Sequence, residues 1–549
     1  MASASRAGPI TRTLDKKSNW WRFLTFEQTV GALSDWIEVR LRPALRLLDR
    51  HLSILLDPRC PDWAVAALIV AWTACWFLYR AVAFASVDLP FDMTEAFAWS
   101  RSLDWSYPKH PPMLAWITAA WFGVFPVRDW SFHLLAAANA GVTLWVIWLI
   151  GKRCLPPERR LIALALPTLV PLIPFLGLLY NANSVLMPFW ALTTLFFLIS
   201  FKTRSAWPAA LAGAAAAGAF LGKYYSVFLL LGLALAALAH PDRGRYLKSP
   251  APWVSLAVGL SLVAPHLFWL AAHSVTPLDY AAAMHQGTPS AVLLAAIGTP
   301  VAVLGYASLA ILTFLLAVRP TLRDLRDLVW PADADRRMVA VAFLGPLVVS
   351  TIALAAFGKV SNSVWTIPAW TLFGAFMLSP PGLAIDRRSR LGALATMVAL
   401  PLILDVISPV MAIYYGESGD KGRYDFASRL AHDIDSHWHQ LIDLPLAYVA
   451  GDADASDGLT FYAVDHPPVL PDFAAAAGSS NRSDRIRRGI VIICRAANAG
   501  CLATAEKAAG QRDDVVRYET TVSRTFLGRE QRSAPLVVFM LPPVSAQGV

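Results

Sequence analysis

Between the first two strongly apolar segments of the chain lies DLPFDMTEAFAWSRSLDWSYPKHPPMLAW, Asp88 to Trp116. Asp88, Asp92, Glu95 and Asp104 supply carboxylates, and Arg101, Lys109 and His110 supply cationic or imidazole groups. Phe91, Phe97, Trp99, Trp105 and Tyr107 stand among them. A carboxylate within reach of a hydroxyl can take its proton, and a fixed cation can stabilise negative charge that grows during a reaction. A loop that only joins two membrane segments needs no more than enough polarity to stay wet, so this mixture reads as a site.

The rest of the chain must hold that stretch in place. Of its 549 residues, 56% are hydrophobic and 15% charged, against roughly 25% charged in soluble domains, which makes it a polytopic membrane protein. The formal charge of +9 falls mainly in short Lys/Arg runs between apolar segments, where it sets topology and meets anionic lipid headgroups, so nucleic acid is excluded as a partner. The polar, basic start has no apolar h-region, and the first span is expected to stay as an anchor. From Val30 to Leu48, Val30, Leu33, Trp36, Ile37, Leu41, Leu45, Leu47 and Leu48 recur at helical spacing beside Arg40, Arg42, Arg46 and Arg50, with Pro43 as a break. The pattern fits an amphipathic helix on the inner leaflet and equally a helix packed on the membrane domain.

Apolar segments follow at 62–84, 112–127, 131–151, 161–179, 185–201, 208–222, 224–240, 252–272, 292–317, 337–357, 364–380 and 391–413. The second is short, follows His110-Pro111-Pro112, carries Pro126 and is bordered by Arg128 and Asp129. Read as re-entrant or interfacial, it leaves eleven crossings. The basic clusters at Lys152-Arg153 with Arg159-Arg160, Lys202 with Arg204, Arg243 with Arg245 and Lys248, Arg319 to Arg337, and Arg387-Arg388 with Arg390 then all fall inside with the N-terminus. The Asp88–Trp116 loop, the Tyr180–Ser184 turn, Lys223-Tyr224 and the C-terminal region share the outer face. Residues 414–549 hold strand-like runs such as GIVIIC and PLVVFML, and an AAAAGSSNRSDR stretch with the composition of a flexible loop, and read as a small soluble α/β domain. Cys60, Cys75 and Cys154 are expected to be free, whereas Cys494 and Cys501, close together in the outer region, admit a local disulfide.

D-x-x-E-A-F-A-W-S from Asp92, followed by D-W-S-Y-P-K-H-P-P-M-L-A-W, resembles the first outer loop of the family 39/83-type glycosyltransferases of the GT-C fold. These include bacterial relatives of protein O-mannosyltransferases and the lipid A aminoarabinose and galacturonic acid transferases. The resemblance places the family aspartate on Asp92, with Met93 where a Glu is usual, and the Tyr-x-Lys-His-Pro-Pro element on Tyr107, Lys109, His110, Pro111 and Pro112. Asn181-Ala182-Asn183-Ser184 leading into Phe189-Trp190-Ala191-Leu192 is similar to the second outer motif, with Asn183 in place of its aspartate. Gly222-Lys223-Tyr224-Tyr225 and KVSNSVWTIPAW at 359–370 resemble two further outer turns, so the likeness spans about residues 60–415.

The resemblance implies a mainly α, GT-C-like bundle of about eleven transmembrane helices with interfacial helices in the first outer loop, plus the α/β domain. It implies a cytoplasmic arm at 1–58, a catalytic transmembrane domain at 59–413 and a periplasmic domain at 414–549 of a bacterial inner-membrane protein. It further implies a polyprenyl-phosphate sugar donor and a glycan, lipid A or protein acceptor. Asp92 is then the general base, Glu95 a partner that orients it or binds sugar hydroxyls, and Lys109, His110 and Lys223 the phosphate contacts, with Lys359 a weaker fourth. Trp99, Tyr107, Asn183 and Tyr224 are the substrate-binding candidates, although aromatic residues near an interface also serve as membrane anchors. A divalent cation on Asp92 and Asn183 stays open, because Asn183 offers only a carbonyl oxygen. A transporter or flippase of a lipid-linked sugar is the alternative; it would concentrate ionisable groups near mid-bilayer, whereas here they cluster in outer loops. A membrane-anchored sensor leaves the Asp92–Pro112 constellation without a role.

Overall fold

The computed structural model describes residues 49–273, 277–418, 426–470, 473, 486–510, 512–523, 525–530 and 534–544. The Val30–Leu48 pattern and the AAAAGSSNRSDR stretch lie outside the described residues. The chain divides into two compact units, Met1–Ala64 and Val65–Val549. In the first, the described part is a short helix at 49–55 and the start of α1; the second holds all that follows.

The membrane part comprises α1 (Asp62–Ala83), α2 (Phe91–Ser100), α3 (Met113–Phe122), α4 (Asp129–Cys154), α5 (Pro157–Thr168), α6 (Ala182–Thr203), α7 (Ala206–Gly222), α8 (Val227–Leu238), α9 (Ala251–Ala272), α10 (Pro289–Val318), α11 (Ala334–Ala356) and α12 (Arg387–Ser418). Among the described residues, seven of these, α1, α4, α6 and α9 to α12, are long and apolar enough to cross a membrane. The other four expected crossings are shorter or interrupted. The run at 161–179 ends its α-helix at Thr168 and continues as a π turn, Leu172–Leu176, because Pro171 and Pro174 cannot extend the ladder. The run at 364–380 is a 3-10 stretch, Ser363–Leu372, containing Pro368, and then the single turn Phe373–Met377. α7 stops where Lys223 turns extended (φ −163°), and Tyr224–Ser226 forms a 3-10 turn before α8. The segment after His110-Pro111-Pro112 yields only α3, ten residues, about 15 Å of helix and half a crossing.

α6 is the central helix: 78% of its apolar window is buried, against 11% for α9. Charges suit the helix ends, as in α4, which starts on Asp129 and finishes with Lys152 and Arg153. Small residues let backbones meet: a Cβ on Gly213 of α7 would lie 2.3 Å from the Ser255 carbonyl oxygen of α9.

After α12 come α13 (Ala427–Leu441), β1 (Tyr448–Gly451), α14 (Ala453–Tyr462), β2 (Ile490–Arg495), α15 (Ala499–Ala509), β3 (Val516–Val522), the hairpin β4 (Thr525–Phe526) and β5 (Arg529–Glu530), and β6 (Ala534–Leu541). The sheet order is β1-β2-β6-β3, with β1 and β2 parallel and the other pairs antiparallel. Alternation along β2 fills both faces. Val491 and Ile493 pack under Leu430, Ile434 and Trp438 of α13, and Ile490 and Ile492 pack with Ala505 of α15. Cys494 and Cys501 form the disulfide that joins β2 to α15; Cys60, Cys75 and Cys154 are not disulfide-bonded.

Candidate active site

α2 starts after Pro90 and turns Met93 to Ala98 inward, while Asp92, in its first turn, stays exposed. The Asp92 Oδ2 accepts a hydrogen bond of 3.0 Å from Asn181 Nδ2. Asn181 is also the N-cap of α6: its side-chain oxygen accepts from the Asn183 and Ser184 N–H groups at 2.9 and 3.2 Å, and Ser184 Oγ accepts from the Asn181 N–H at 2.8 Å. This capping box satisfies the first donors of α6 and leaves the Asn181 amide nitrogen aimed at the carboxylate.

Glu95, one turn further along α2, is 7% exposed and pairs with Lys109 Nζ at 2.5 Å. That ammonium also lies 4.8 Å from the Phe91 ring centroid. Burial pushes the Glu95 carboxyl up to about 7, against the pull of Lys109 and with repulsion from Asp92 and Asp454 adding to the rise. For Lys109, burial acts downward, but the Glu95 charge and hydrogen bond outweigh it and hold the ammonium above its ordinary range.

Lys223 follows α7 and donates 2.6 Å to Asn183 Oδ1, with the Trp365 ring 5.2 Å away. Burial pushes it down to about 8, while the Asp92 charge pulls the other way. Two amides two residues apart at the start of α6 therefore hold Asp92 and Lys223 at one place. His110 answers differently from the expected imidazolium. Burial, then the Lys223 and Lys109 charges, push it down to about 3, so at neutral pH it offers a neutral imidazole and no charge for an anion.

A family model described as dolichyl-phosphate-mannose-protein mannosyltransferase matches residues 109–269, a span that includes Lys109, His110, Asn183, Lys223 and Tyr224. The chain is 25% identical over 198 residues to a lipid A galacturonosyltransferase, RgtD, of Rhizobium johnstonii, which covers 36% of this chain. The chain spans 41% of the length of that curated relative. The crystal structure of ArnT from Cupriavidus metallidurans bound to undecaprenyl phosphate superposes with a TM-score of 0.58 at 13% identity, over 88% of this chain and 98% of that one. The apo form of the same protein gives 0.57 at 13% identity, over 88% and 99%. The chain has the GT-C glycosyltransferase fold. It is a multi-pass membrane protein whose GT-C core carries Asp92, Glu95, Lys109, Asn183 and Lys223 in one cluster.

Within this GT-C core the aromatic candidates are tied to the protein itself. Trp99 and Tyr107 stack at 5.1 Å and 8°. The Tyr107 hydroxyl donates to the Ser102 carbonyl at 3.0 Å and accepts from the Asp104 N–H at 3.1 Å. Tyr224 Oη lies 2.8 Å from His266 Nε2, and His266 Nδ1 lies 2.7 Å from the Trp105 carbonyl oxygen, a relay that fastens the outer loop to α9. Lys359 is turned away, bonded to the Ala282 and Met284 carbonyls.

A divalent cation does not fit here. The Asn183 oxygen that was to serve as a ligand is taken by the Lys223 ammonium, and among the described residues no three His, Cys, Asp or Glu side chains converge as a metal site. The sequence reading gave no site role to Asn181, Trp365 or His266. Of these, Asn181 had a signal, since Asn followed three residues later by Ser before an apolar run is a helix-start pattern.

Proposed function

We propose that the chain is a bacterial inner-membrane glycosyltransferase. It transfers a sugar from a polyprenyl-phosphate donor to lipid A, another cell-envelope glycan or a protein at the periplasmic face, with the N-terminus cytoplasmic and the C-terminal domain periplasmic. The observation that carries this reading is an exposed carboxylate, Asp92, with two half-buried lysines held close by on different elements: Lys109 by Glu95, one turn along α2, and Lys223 by Asn183, within electrostatic reach of Asp92. ArnT bound to undecaprenyl phosphate and the family match described as dolichyl-phosphate-mannose-protein mannosyltransferase support this class of donor, and the lipid A galacturonosyltransferase relative supports lipid A among the acceptors.

Asp92 takes the proton of an acceptor hydroxyl as that oxygen attacks the anomeric carbon. The bond from this carbon to the phosphate oxygen breaks, and the polyprenyl phosphate leaves with the electron pair. Lys109 and Lys223 meet the charge that grows on the phosphate. Asn181 fixes the carboxylate, Glu95 holds Lys109, and the neutral His110 contributes a hydrogen bond. Because Glu95 is buried and engaged, one carboxylate serves the reaction, and a single displacement inverts the anomeric centre. Asn183, Tyr107, Trp99 and Tyr224 are the residues assigned to contact the sugar.

The purified chain, supplied with polyprenyl-phosphate sugars and envelope acceptors, tests this. Asp92→Asn is expected to lower transfer by about 10²-fold or more with unchanged thermal unfolding. Normal transfer by a folded Asp92→Asn protein sinks the assignment. Comparative mass spectrometry of lipid A, polysaccharide and glycoprotein fractions from cells with and without the chain names the sugar and acceptor.

A further inference from the structure

The C-terminal domain does not stand apart from the outer loop. Phe461 of α14 meets Phe97 of α2 edge-on at 5.1 Å, and the Phe97 ring also lies 5.6 Å from that of His466. Arg101 Nε donates to the His466 carbonyl at 3.1 Å, and the Leu89 N–H donates to Tyr462 Oη at 2.8 Å. Ser428 N–H and Oγ donate to the Asp88 carboxylate at 3.0 and 2.7 Å. α2 is therefore clamped at both ends.

Along α14, Asp454, Asp457 and Phe461 follow at spacings of three and four and share one face, the face turned to α2. Asp454 pairs with Arg495 at 2.6 Å. Asp457 is 5% exposed and within electrostatic reach of Glu95 and Lys109. A buried carboxyl beside the Glu95–Lys109 pair has a function open to it.

We propose that the C-terminal domain completes the active site, with Asp457 as a positioning residue that fixes the Glu95–Lys109 pair and holds the lysine where the donor phosphate arrives. This rests on the glycosyltransferase reading above. The packing of α14 on α2 brings the Asp457 carboxyl to the Glu95–Lys109 pair. Burial, and then the Glu95 charge, push Asp457 well above its ordinary range, while the Lys109 charge pulls the other way. Its attraction for the Lys109 ammonium adds to the hold that Glu95 has on that lysine.

The test is a double-mutant cycle on the full chain in lipid nanodiscs, with undecaprenyl phosphate as the probe and dissociation constants as the readout. Asp457→Ala is expected to weaken binding about fivefold in the wild-type background and not at all in Lys109→Ala, because a residue acting through the lysine has nothing left to position. Asp457→Asn, which keeps the shape and removes the charge, is expected to weaken binding as much as Asp457→Ala. Asp457→Ser runs the same cycle if the alanine variant does not fold. Equal losses in both backgrounds assign Asp457 to the fold alone and overturn the inference, as does an unchanged affinity in Asp457→Ala. A wild-type chain that binds no undecaprenyl phosphate overturns the functional reading and this inference with it, whereas wild-type binding with an additive cycle overturns the inference only.

Discussion

Two lysines reach the neighbourhood of Asp92, and they are held in different ways. Lys109, on the loop after α2, pairs with a buried carboxylate and stays charged. Lys223, at the end of α7, donates to a neutral amide and is pushed down to about 8. Burial acts against the charge in both; the partner decides the outcome. The loop side of the site thus carries a permanent cation, and the helix-end side a titrating one.

The largest expected effect separates these sides. Lys109→Ala removes the proposed phosphate contact and leaves the buried Glu95 without its counter-charge, a loss of about 1–3 kcal/mol because the lysine itself is half-buried. Donor kcat/KM is expected to fall about 10²-fold and the melting temperature to drop. Restoring neutrality with Glu95→Gln in the same chain should recover the melting temperature and leave donor use impaired. Recovery of both would show that Lys109 serves the fold alone.

A smaller effect tests the titrating side. Lys223 is charged below its pKa and neutral above it, so donor affinity should fall as pH rises through about 8. Lys223→Arg, charged throughout, should lose that limb at a cost of about tenfold or less at pH 7. The measurement is the donor KM from pH 6.5 to 9.5. A limb that persists in the arginine variant belongs to another group.

Much of this site could be read from residue types. Carboxylates, cations and rings crowded beside a span marked the Asp88–Trp116 stretch, and Gly222-Lys223-Tyr224-Tyr225 marked the turn that faces it. What could not be read depends on three-dimensional burial. Burial, and then the Lys223 and Lys109 charges, take the His110 charge away, and Asp457 comes within electrostatic reach of Glu95 only because α14 packs on α2. The apolar runs at 161–179 and 364–380 read as crossings because hydropathy does not register a proline-interrupted ladder. The second outer motif drew attention to Asn183, yet the amide that holds Asp92 is Asn181, since capping of α6 turns Asn181 outward and leaves Asn183 facing Lys223.

Asn183 gives the finest test of the contrast between the lysines, because it stands where the resembling family has an aspartate. Asn183→Asp changes one amide to a carboxylate at the atom that Lys223 already contacts at 2.6 Å. The new charge favours the ammonium, as Glu95 does for Lys109, and should lift the alkaline limb by about one pH unit or more. At pH 7 Lys223 is already mostly charged, so donor use there should change by no more than about threefold. Near pH 9 the variant should outperform the wild type. Lys223 would then behave as a second permanent cation, and the difference between the two sides would vanish by a single substitution. A limb that stays near pH 8 in Asn183→Asp would mean that the amide contact does not govern the Lys223 charge, and that the asymmetry has its source in burial alone.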